Sequence, residues 1–600
     1  MEWLEEVTSM RFLVCLVVPV TLLLAASTRW RRKLPFPPGP TPLPIVGNML
    51  LMGQLTHRGL AKLAERYGGL CHLSLGFVHV FAVSTPEIAR QVLQVQDAVF
   101  SNRSATIAIT YLTYDRADMA FAHYGPFWRQ IRKLCVMKLF SRKRAESWAS
   151  VREEVDAAVR AVADGAGAAV NLGELMFNLT KNITFRAAFG TQNHENQEEF
   201  IAILQEFSVL FGAPVCASSP ASQFPRHGAE PVRMSGDSGV GSGVLMLEWR
   251  SLRGEEVALP GSTAGSCKEV GSGRSFYSGC CGLFVPDDLT AFMTHHVAAP
   301  HALPSYWWGS VRLQVGVADL TCINKRFKVA REALDGFIDK IIEEHMANPK
   351  ELDAADADMV DEMLAFFEES RDRTKEKEAD ELQGTLRLTR NNIKAIIMTV
   401  ASGIEWAIAE LMKNPEDMRR VQEELASIVG LHRKVCESDL DKLPYLKCVV
   451  KETLRLHPPI PILLHETAED CQLTGYAVPA RSRVMINVWA IGRDKSAWAD
   501  ADVFRPSRFA PGGEAAALDF RGGCFEFLPF GSGRRSCPGM QLGLHALELA
   551  VAQLTHCFSW ELPNGMKRGE LDMGDVFGLT APRAVRLVAV PTPRLTCSPY

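Results

Sequence analysis

A cysteine near the C-terminal end of the chain lies in a string of glycines and arginines that suits binding of a metal ion by sulfur. The string is Phe530-Gly531-Ser532-Gly533-Arg534-Arg535-Ser536-Cys537-Pro538-Gly539. The apolar run that follows predicts a helix with Pro538 at its first position, so Cys537 lies beside a positive helix end. Positive potential and hydrogen-bond donors favour the thiolate, which is the form of sulfur that binds metals. The two glycines permit a tight turn and close approach to a flat macrocycle, and Arg535 can pair with a carboxylate on it. The alternatives are a buried structural cysteine and a phosphate loop, for which no strand leads in at the right spacing.

Three further motifs occur upstream of or close to this string. Trp128 and Arg132 lie four residues apart, and Glu452 and Arg455 lie three apart on a helical stretch, so each pair shares a helix face. The segment Phe504–Phe509 follows and contains Arg508. Taken alone, a Glu–Arg pair at this spacing is usually a solvated salt bridge of small energetic value.

In sequence order, these motifs together resemble the cytochrome P-450 superfamily, whose haem-binding signature Phe-x-x-Gly-x-Arg-x-Cys-x-Gly is matched at every fixed position. The resemblance implies a haem b group, electrons from NADPH through a flavoprotein reductase, and insertion of one atom of dioxygen into a small substrate. A thiolate ligand pushes electron density onto the iron and favours O–O cleavage. By resemblance, Cys537 is the iron ligand; the residues that hold the propionates are Trp128, Arg132 and Arg535; and the structural network beneath the haem is Glu452, Arg455 and Arg508.

Three strings narrow the resemblance to plant ferulate/coniferaldehyde 5-hydroxylases. They are Ile460–Asp470, Phe525–Leu544 and Gly574–Pro582. The first string has His465 where many plant relatives have Arg. The likeness covers about residues 10–212 and 323–600, and it implies ring hydroxylation of a phenolic phenylpropanoid on the route to syringyl lignin. Another phenylpropanoid or a flavonoid is the alternative substrate.

The central helix departs from this subfamily. The segment Ile393–Ser402 matches the central helix of this subfamily, except that eight residues are missing between Met398 and Thr399. Thr399 matches the alcohol of the acid–alcohol pair that delivers protons to iron-bound dioxygen, and Met398 stands where the acid belongs. Eight residues correspond to about 12 Å of helix, and proton delivery by a positioned group is worth ~10²–10⁴ in rate. A second hypothesis is therefore a haem-binding membrane protein with impaired or absent turnover.

The elements around these motifs indicate a mainly α protein with small β-sheets. Apolar residues recur at helical spacing in Arg142–Asp164, Arg326–Asn348, Leu411–Val429 and Gly539–Cys557. The segment His72–Ser84 predicts a β-hairpin, and Arg481–Ile491 has a strand-like pattern. The fold expected from the resemblance is that of the cytochromes P-450 with an N-terminal transmembrane anchor.

The chain divides into four predicted parts: an anchor with a basic stop at 1–33, a proline-rich hinge at 34–48, the monooxygenase domain at 49–212 and 322–600, and an atypical insertion at 213–321. The apolar run Phe12–Ala26 follows Glu2, Glu5 and Glu6 and precedes four basic residues, Arg29, Arg31, Arg32 and Lys33. This asymmetry favours an uncleaved anchor over a signal peptide and places the body in the cytosol, at the endoplasmic reticulum membrane. Glycans on the sequons at Asn178 and Asn182 would reverse that orientation.

The predicted insertion is rich in Gly and Ser and has no periodicity, which favours disorder. With the gap in the central helix, it suggests a translated intron and a skipped exon fragment, which sequencing of the transcript would test. Its potential zinc ligands, none at the spacing of structural zinc sites, are Cys267, Cys280, Cys281, His295, His296 and His301.

The net charge of -4 and the absence of a basic stripe argue against nucleic acid. The 15 scattered cysteines fit reduced thiols.

Overall fold

The protein is described here by a computed structural model covering residues 34–104, 107–136, 149–189, 320–349, 402–578 and 580–596, with 360, 361 and 364. Its helices are α1 His57–Tyr67, α2 Pro86–Arg90, α3 Ile107–Leu112, α4 Pro126–Leu134, α5 Ala149–Asp164, α6 Leu172–Phe189, α7 Leu320–Ala347, α8 Gly403–Lys413, α9 Pro415–Ile428, α10 Glu437–Leu440, α11 Pro444–Leu456, α12 Val488–Ile491 and α13 Met540–Cys557. Its strands are β1 Leu70–Leu75, β2 Val78–Val83, β3 Val170–Asn171, β4 Ile462–Glu466, β5 Cys471–Leu473, β6 Tyr476–Val478, β7 Arg483–Asn487, β8 Phe558–Glu561 and β9 Val588–Pro593. The expectation of a mainly helical protein with small sheets is confirmed.

Three sheets flank the helices. The largest has the order β1-β2-β7-β4, with β2 and β7 parallel and the other two pairs antiparallel. The predicted hairpin is therefore present, and it turns at Gly76-Phe77. A second sheet has the order β3-β9-β8, and β5 pairs with β6. The first sheet places β4 beside the segment that precedes Cys537, because the Leu463 side chain lies close to Gly531.

The main core packs α8, α9, α11 and α13 against α5 and α6. Helix α8 is buried from Ile404 to Met412, and the second half of α13 is buried all round, from Leu549 to Cys557. A helix that is buried on all sides lies in the centre of a large domain. These two helices thus form the rigid interior on which the cysteine-bearing segment rests.

Three expected element boundaries differ from the structure. The helix expected over Leu411–Val429 is interrupted at Asn414, because Pro415 has no N–H to continue the ladder and instead begins α9. The strand expected to reach Ile491 ends at Asn487, whose side chain accepts the N–H of Ala490 and caps α12. The last helix begins at Met540 with Gly539 as its N-cap, so Pro538 lies in the preceding turn.

The proline-rich segment within 34–48 packs against the β1–β2 hairpin. The Phe36 ring stacks on His72 and His79 at centroid distances of 4.6 and 5.0 Å, and the two imidazoles are 3.0 Å apart, Nε2 to Nδ1. The His72 amide donates to the Pro38 carbonyl oxygen at 3.0 Å. Burial, and then repulsion from His79, lower the pKa of His72 to about 4. The His72 ring of this contact is therefore neutral at pH 7.

Among the helices that the structure describes, none combines the length and apolarity needed to cross a bilayer. The predicted anchor at 1–33 lies outside the described residues, as do the two ranges 190–319 and 365–401.

Candidate functional site

The cysteine-bearing segment is a tight turn that ends at α13. The Cys537 amide donates to the Phe530 carbonyl oxygen at 2.9 Å, closing the turn. Gly531 and Gly533 have φ of +69° and +65°, the left-handed region that favours glycine. A Cβ on Gly533 would also lie 2.3 Å from the carbonyl oxygen of Leu93. The predicted need for glycine thus has two physical causes at this position, backbone conformation and close approach.

The Cys537 thiol is accessible, yet the protein around it desolvates the sulfur. Burial raises the pKa of Cys537, while the backbone N–H of Gly539 and the charge of Arg132 act in the opposite direction. The helix start and the basic neighbour were expected to favour the thiolate, but burial outweighs them. Coordination to a metal cation deprotonates thiols, so iron bound at this position would hold the sulfur as the thiolate.

Helix α4 places a tryptophan between two arginines. The guanidinium carbons of Arg535 and Arg132 lie 4.4 and 5.4 Å from the Trp128 ring centroid. The indole Nε1 donates to the Met119 carbonyl oxygen at 3.0 Å. Arg132 donates to the carbonyl oxygen and the hydroxyl of Ser536 at 2.8 and 3.1 Å, which ties α4 to the residue before the cysteine. The structure therefore brings Trp128, Arg132, Arg535 and Cys537 into one site.

A third arginine, which the sequence motifs did not indicate, completes the positive cluster. Arg103 faces Arg132 and Arg535, and burial is the main cause that lowers its pKa to about 10. Burial, followed by repulsion from Arg103, lowers the pKa of Arg535 to about 9. The Asp118 carboxyl group interacts with both Arg103 and Arg535. Among these described groups, three guanidinium ions face one carboxyl group, whose own pKa is raised by burial, so positive charge is in excess.

This cluster fits the two propionates of a haem. The Nε atom of Arg103 is buried without a hydrogen-bond partner, which is costly unless a ligand supplies an acceptor. A dianion would offset the excess charge, and carboxylates match the planar fork of guanidinium. Arg535 already donates to the carbonyl oxygens of Ser101, Met119 and Ala122. Because its Nε atom has no hydrogen-bond partner, Arg103 indicates the position of the propionates more strongly than Arg535 does.

His465 on β4 is a neutral member of the same surroundings. Its Nδ1 lies 2.7 Å from the Phe100 carbonyl oxygen and therefore carries the proton of that hydrogen bond. Burial, then the charge of Arg103, lower its pKa to about 3. The sequence indicated His465 because many plant relatives have Arg at this position. No spacing pattern pointed to Arg103.

The predicted Glu452–Arg455–Arg508 network forms in the core, and all three side chains are fully buried. Arg455 binds both carboxylate oxygens of Glu452, Nε to Oε2 at 2.8 Å and Nη2 to Oε1 at 2.7 Å. Arg508 Nε donates to Glu452 Oε1 at 3.0 Å. Arg455 also donates to the carbonyl oxygens of Gly492 and Ala501 at 2.5 and 2.6 Å, so the network joins α11 to later loops.

Aromatic rings connect this network to the cysteine turn. Phe509, next to Arg508, lies 5.3 Å from Phe527, which lies 5.5 Å from Phe520. The rings of Phe520 and Phe530 pack edge-to-face with their centroids 5.9 Å apart, and the Phe530 carbonyl oxygen accepts the Cys537 amide. A rigid path of packed rings therefore runs from the buried charges to the turn.

Two predictions fall outside the described residues. Thr399, the alcohol expected to assist oxygen activation, is one of them, and so are the potential zinc ligands at 267–301. Within the part of the chain that the structure does describe, no group of three or more His, Cys, Asp or Glu side chains could hold a metal ion.

The chain belongs to the cytochrome P450 family. The family profile "Cytochrome P450" matches residues 37–224 and 310–586. Cytochrome P450 84A1 of Arabidopsis thaliana is 53% identical over 597 residues, covering 97% of this chain and 96% of that protein. Flavonoid 3'-monooxygenase of Petunia hybrida is 33% identical and covers 96% of each chain. A zebra fish cytochrome P450 structure with progesterone shares the fold, with a TM-score of 0.62 at 22% identity over 90% of this chain.

The protein is therefore a cytochrome P450 monooxygenase that uses haem iron and takes electrons from NADPH through a reductase. Haem supplies the one-electron and dioxygen chemistry when it is bound. The chain's own residues supply a sulfur ligand at Cys537, a positive cluster for two carboxylates, and a scaffold that fixes both.

Proposed function

We propose that this monooxygenase hydroxylates the aromatic ring of a guaiacyl phenylpropanoid, as the ferulate/coniferaldehyde 5-hydroxylases do. The balanced reaction takes substrate C–H, dioxygen, NADPH and a proton to substrate C–OH, water and NADP⁺. The observation that carries the substrate class is the residue-level likeness of Ile460–Asp470, Phe525–Leu544 and Gly574–Pro582 to that subfamily. The 53% identity to cytochrome P450 84A1, against 33% to the flavonoid 3'-monooxygenases, supports it.

The three strings lie together in the fold, which supports a shared role at one site. Leu463 of the first string lies against Gly531 of the second, with 3.6 Å between its Cδ1 and the position of a Cβ on the glycine. Ala581 of the third string donates its amide to the Pro459 carbonyl oxygen at 3.0 Å, just before the first string.

The residues described above perform distinct tasks in this proposal. Cys537 ligates the iron, Trp128, Arg132 and Arg535 hold the propionates, and Thr399 assists oxygen activation. Glu452, Arg455 and Arg508 keep the loops beneath the haem in place. The anchor at 1–33 holds the chain at the endoplasmic reticulum membrane, the hinge at 34–48 leads to the body, and the segment at 213–321 is an atypical insertion that a translated intron would explain.

The test begins with the chain as written, supplied with haem and reduced in the presence of carbon monoxide. A strongly red-shifted absorption band is expected from thiolate ligation. With reductase and NADPH, coniferaldehyde should then yield the 5-hydroxylated product faster than a flavonoid does. A faster flavonoid reaction would refute the substrate class.

A second candidate function is haem binding with little or no turnover, favoured by the missing eight residues before Thr399. A variant with the helix restored to the family length should then gain product formation by ~10²–10⁴, the usual contribution of positioned proton delivery. Equal activity of the two chains would reject this candidate.

A further inference from the structure

Three consecutive residues between α3 and α4, Tyr114–Arg116, have left-handed backbone conformations. Their φ angles are +54°, +59° and +62°. None of the three is glycine, and residues with a Cβ pay for this conformation and rarely adopt it in succession. The Ala117 amide donates to the Thr113 carbonyl oxygen at 2.8 Å and closes the turn. Because a costly backbone persists only where its surroundings hold it, contacts with neighbouring segments must support this turn.

Helix α7 contacts the turn through two charged side chains that lie one helical turn apart. The Tyr114 hydroxyl, on a buried side chain, donates to Asp335 Oδ1 at 2.5 Å. The Arg331 guanidinium carbon lies 4.5 and 4.8 Å from the ring centroids of Tyr114 and Tyr111. Arg331 Nη1 also donates to the Tyr111 carbonyl oxygen at 2.9 Å, and its Nε lies 3.8 Å from Asp335 Oδ2. These four residues form a cluster that we name the α7 latch.

The hydroxyl of the latch keeps its proton at neutral pH. Burial, followed by the hydrogen bond to Asp335, raises the pKa of Tyr114. The phenol therefore remains the donor and the carboxylate the acceptor, which makes this a hydrogen bond to a charged group. Such hydrogen bonds are stronger than those between neutral groups.

The chain that leaves the turn enters the arginine cluster of the candidate site. The segment begins at Asp118, whose carboxyl group interacts with Arg535. The carbonyl oxygens of Met119 and Ala122 accept hydrogen bonds from Arg535, and Met119 also accepts the indole N–H of Trp128. The position of the Asp118–Ala122 segment therefore determines where these two side chains lie.

We propose that the α7 latch consists of positioning residues for the haem. By holding the left-handed turn, it fixes the Asp118–Ala122 segment, whose carbonyl oxygens keep Trp128 and Arg535 in place for the propionates. Release of the latch speeds haem loss, although none of its residues touches the propionates. The inference rests on the propionate-binding role given to these two residues under the proposed function, and it is independent of the substrate.

The first experiment measures the rate at which the full haem-loaded chain loses haem to excess apomyoglobin. Tyr114→Phe keeps the ring and removes the hydroxyl that binds Asp335. It should lose haem about tenfold faster than the wild-type chain, the size expected when a hydrogen bond to a charged group is lost. Asp335→Asn keeps an oxygen acceptor and should have a smaller effect. The matched control on the same helix is Glu332→Gln, which should lose haem at the wild-type rate, because Glu332 pairs with Lys328 where both side chains are more than 60% exposed.

Haem dimethyl ester, in which both propionates are esterified, separates positioning from general stability. Tyr114→Phe should lose the ester no faster than the wild-type chain, because neutral esters form no ion pair with Arg535. Equal acceleration for haem and ester would overturn the proposal, and so would an unchanged rate of haem loss. Arg535→Leu should also accelerate the loss of haem and not of the ester. If it does so while Tyr114→Phe does not, the latch fails and the propionate site stands; if it does not, the propionate role fails and the inference falls with it.

Amide hydrogen exchange tests the mechanical step without haem. The amides of Phe121 and Ala122 donate to the carboxylate and the carbonyl oxygen of Asp118 at 2.7 and 3.2 Å. Both should exchange several-fold faster in Tyr114→Phe and at the wild-type rate in Glu332→Gln, because release of the latch favours local opening of the segment. Unchanged exchange would refute the proposal, since the segment would then not depend on the latch.

Discussion

Replacing Glu452 by glutamine removes the buried carboxylate that two fully buried guanidinium groups share. Arg508 keeps a second partner in Glu514, whose side chain is partly exposed, whereas Arg455 loses its carboxylate. The carboxylate accepts two hydrogen bonds from Arg455, one from Arg508, and one from the Arg505 amide at 2.8 Å. Removing one partner of a buried ion pair costs ~3–5 kcal/mol, because the remaining charge stays desolvated. Since whole domains are stable by only about 5–15 kcal/mol, Glu452→Gln should lose a large share of its stability.

Two measurements test this expectation. The midpoint of guanidinium unfolding should fall clearly, and the fraction of chains with the red-shifted carbon monoxide band should fall with it, because the aromatic path to the cysteine turn loses its support. The matched control is Glu423→Gln, which removes a carboxylate that pairs with Arg419 where both side chains are more than half exposed. Such pairs contribute about 0–1 kcal/mol. Equal midpoints and equal haem retention for the two variants would show that the buried network is not what holds the turn.

Three further outcomes follow from the structure. Cys537→Ser should abolish the red-shifted band, whereas Cys436→Ser, at an exposed cysteine, should keep it; a surviving band would exclude Cys537 as ligand. Arg535→Leu should lower haem retention several-fold through loss of a cation from the propionate cluster, measured as bound haem per chain, while Arg129→Leu at an exposed position should not. Because the folded pKa of His72 is about 4, below the unfolded value of about 6.5, its stabilising contribution is complete above pH 6.5 and is lost as the pH falls towards 4. Between pH 6.5 and pH 4, the free energy of unfolding should therefore fall less steeply in His72→Gln than in the wild-type chain. The difference at pH 5 should be at most about 1 kcal/mol because the ring is partly exposed, and an unchanged slope would contradict the low pKa of His72.

The strongest sequence predictions concerned residues whose chemistry requires a fixed local spacing. Cys537 with its two glycines is such a case, because the turn is closed within the string itself. Glu452 and Arg455 share a helix face at spacing three, and the structure also brings Arg508 to them. These short-range patterns are visible because the backbone geometry, and not distant packing, determines them.

The parts that the sequence did not reveal depend on contacts between distant segments. Arg103 joins the positive cluster only because the chain before α3 packs against α4 and the cysteine turn, and no periodicity records that. The break at Pro415 was missed because apolar residues keep helical spacing on both sides of it. The salt bridge between Asp575 and Arg58 links residues 517 positions apart, so it becomes visible only in three dimensions.

The stacking of Phe36 on the hairpin determines where the chain can be shortened without loss of a packing contact. The Pro35 carbonyl oxygen also accepts the Ala477 amide at 2.9 Å, so the segment is fastened on both sides of the ring. Residues 35–38 are consequently held at a fixed place on the body. Shortening the chain to residue 34 preserves these contacts, whereas shortening it to residue 41 removes the Phe36 ring that covers His72 and His79. The boundary for a shortened chain is therefore set by an aromatic contact and not by the end of the apolar run.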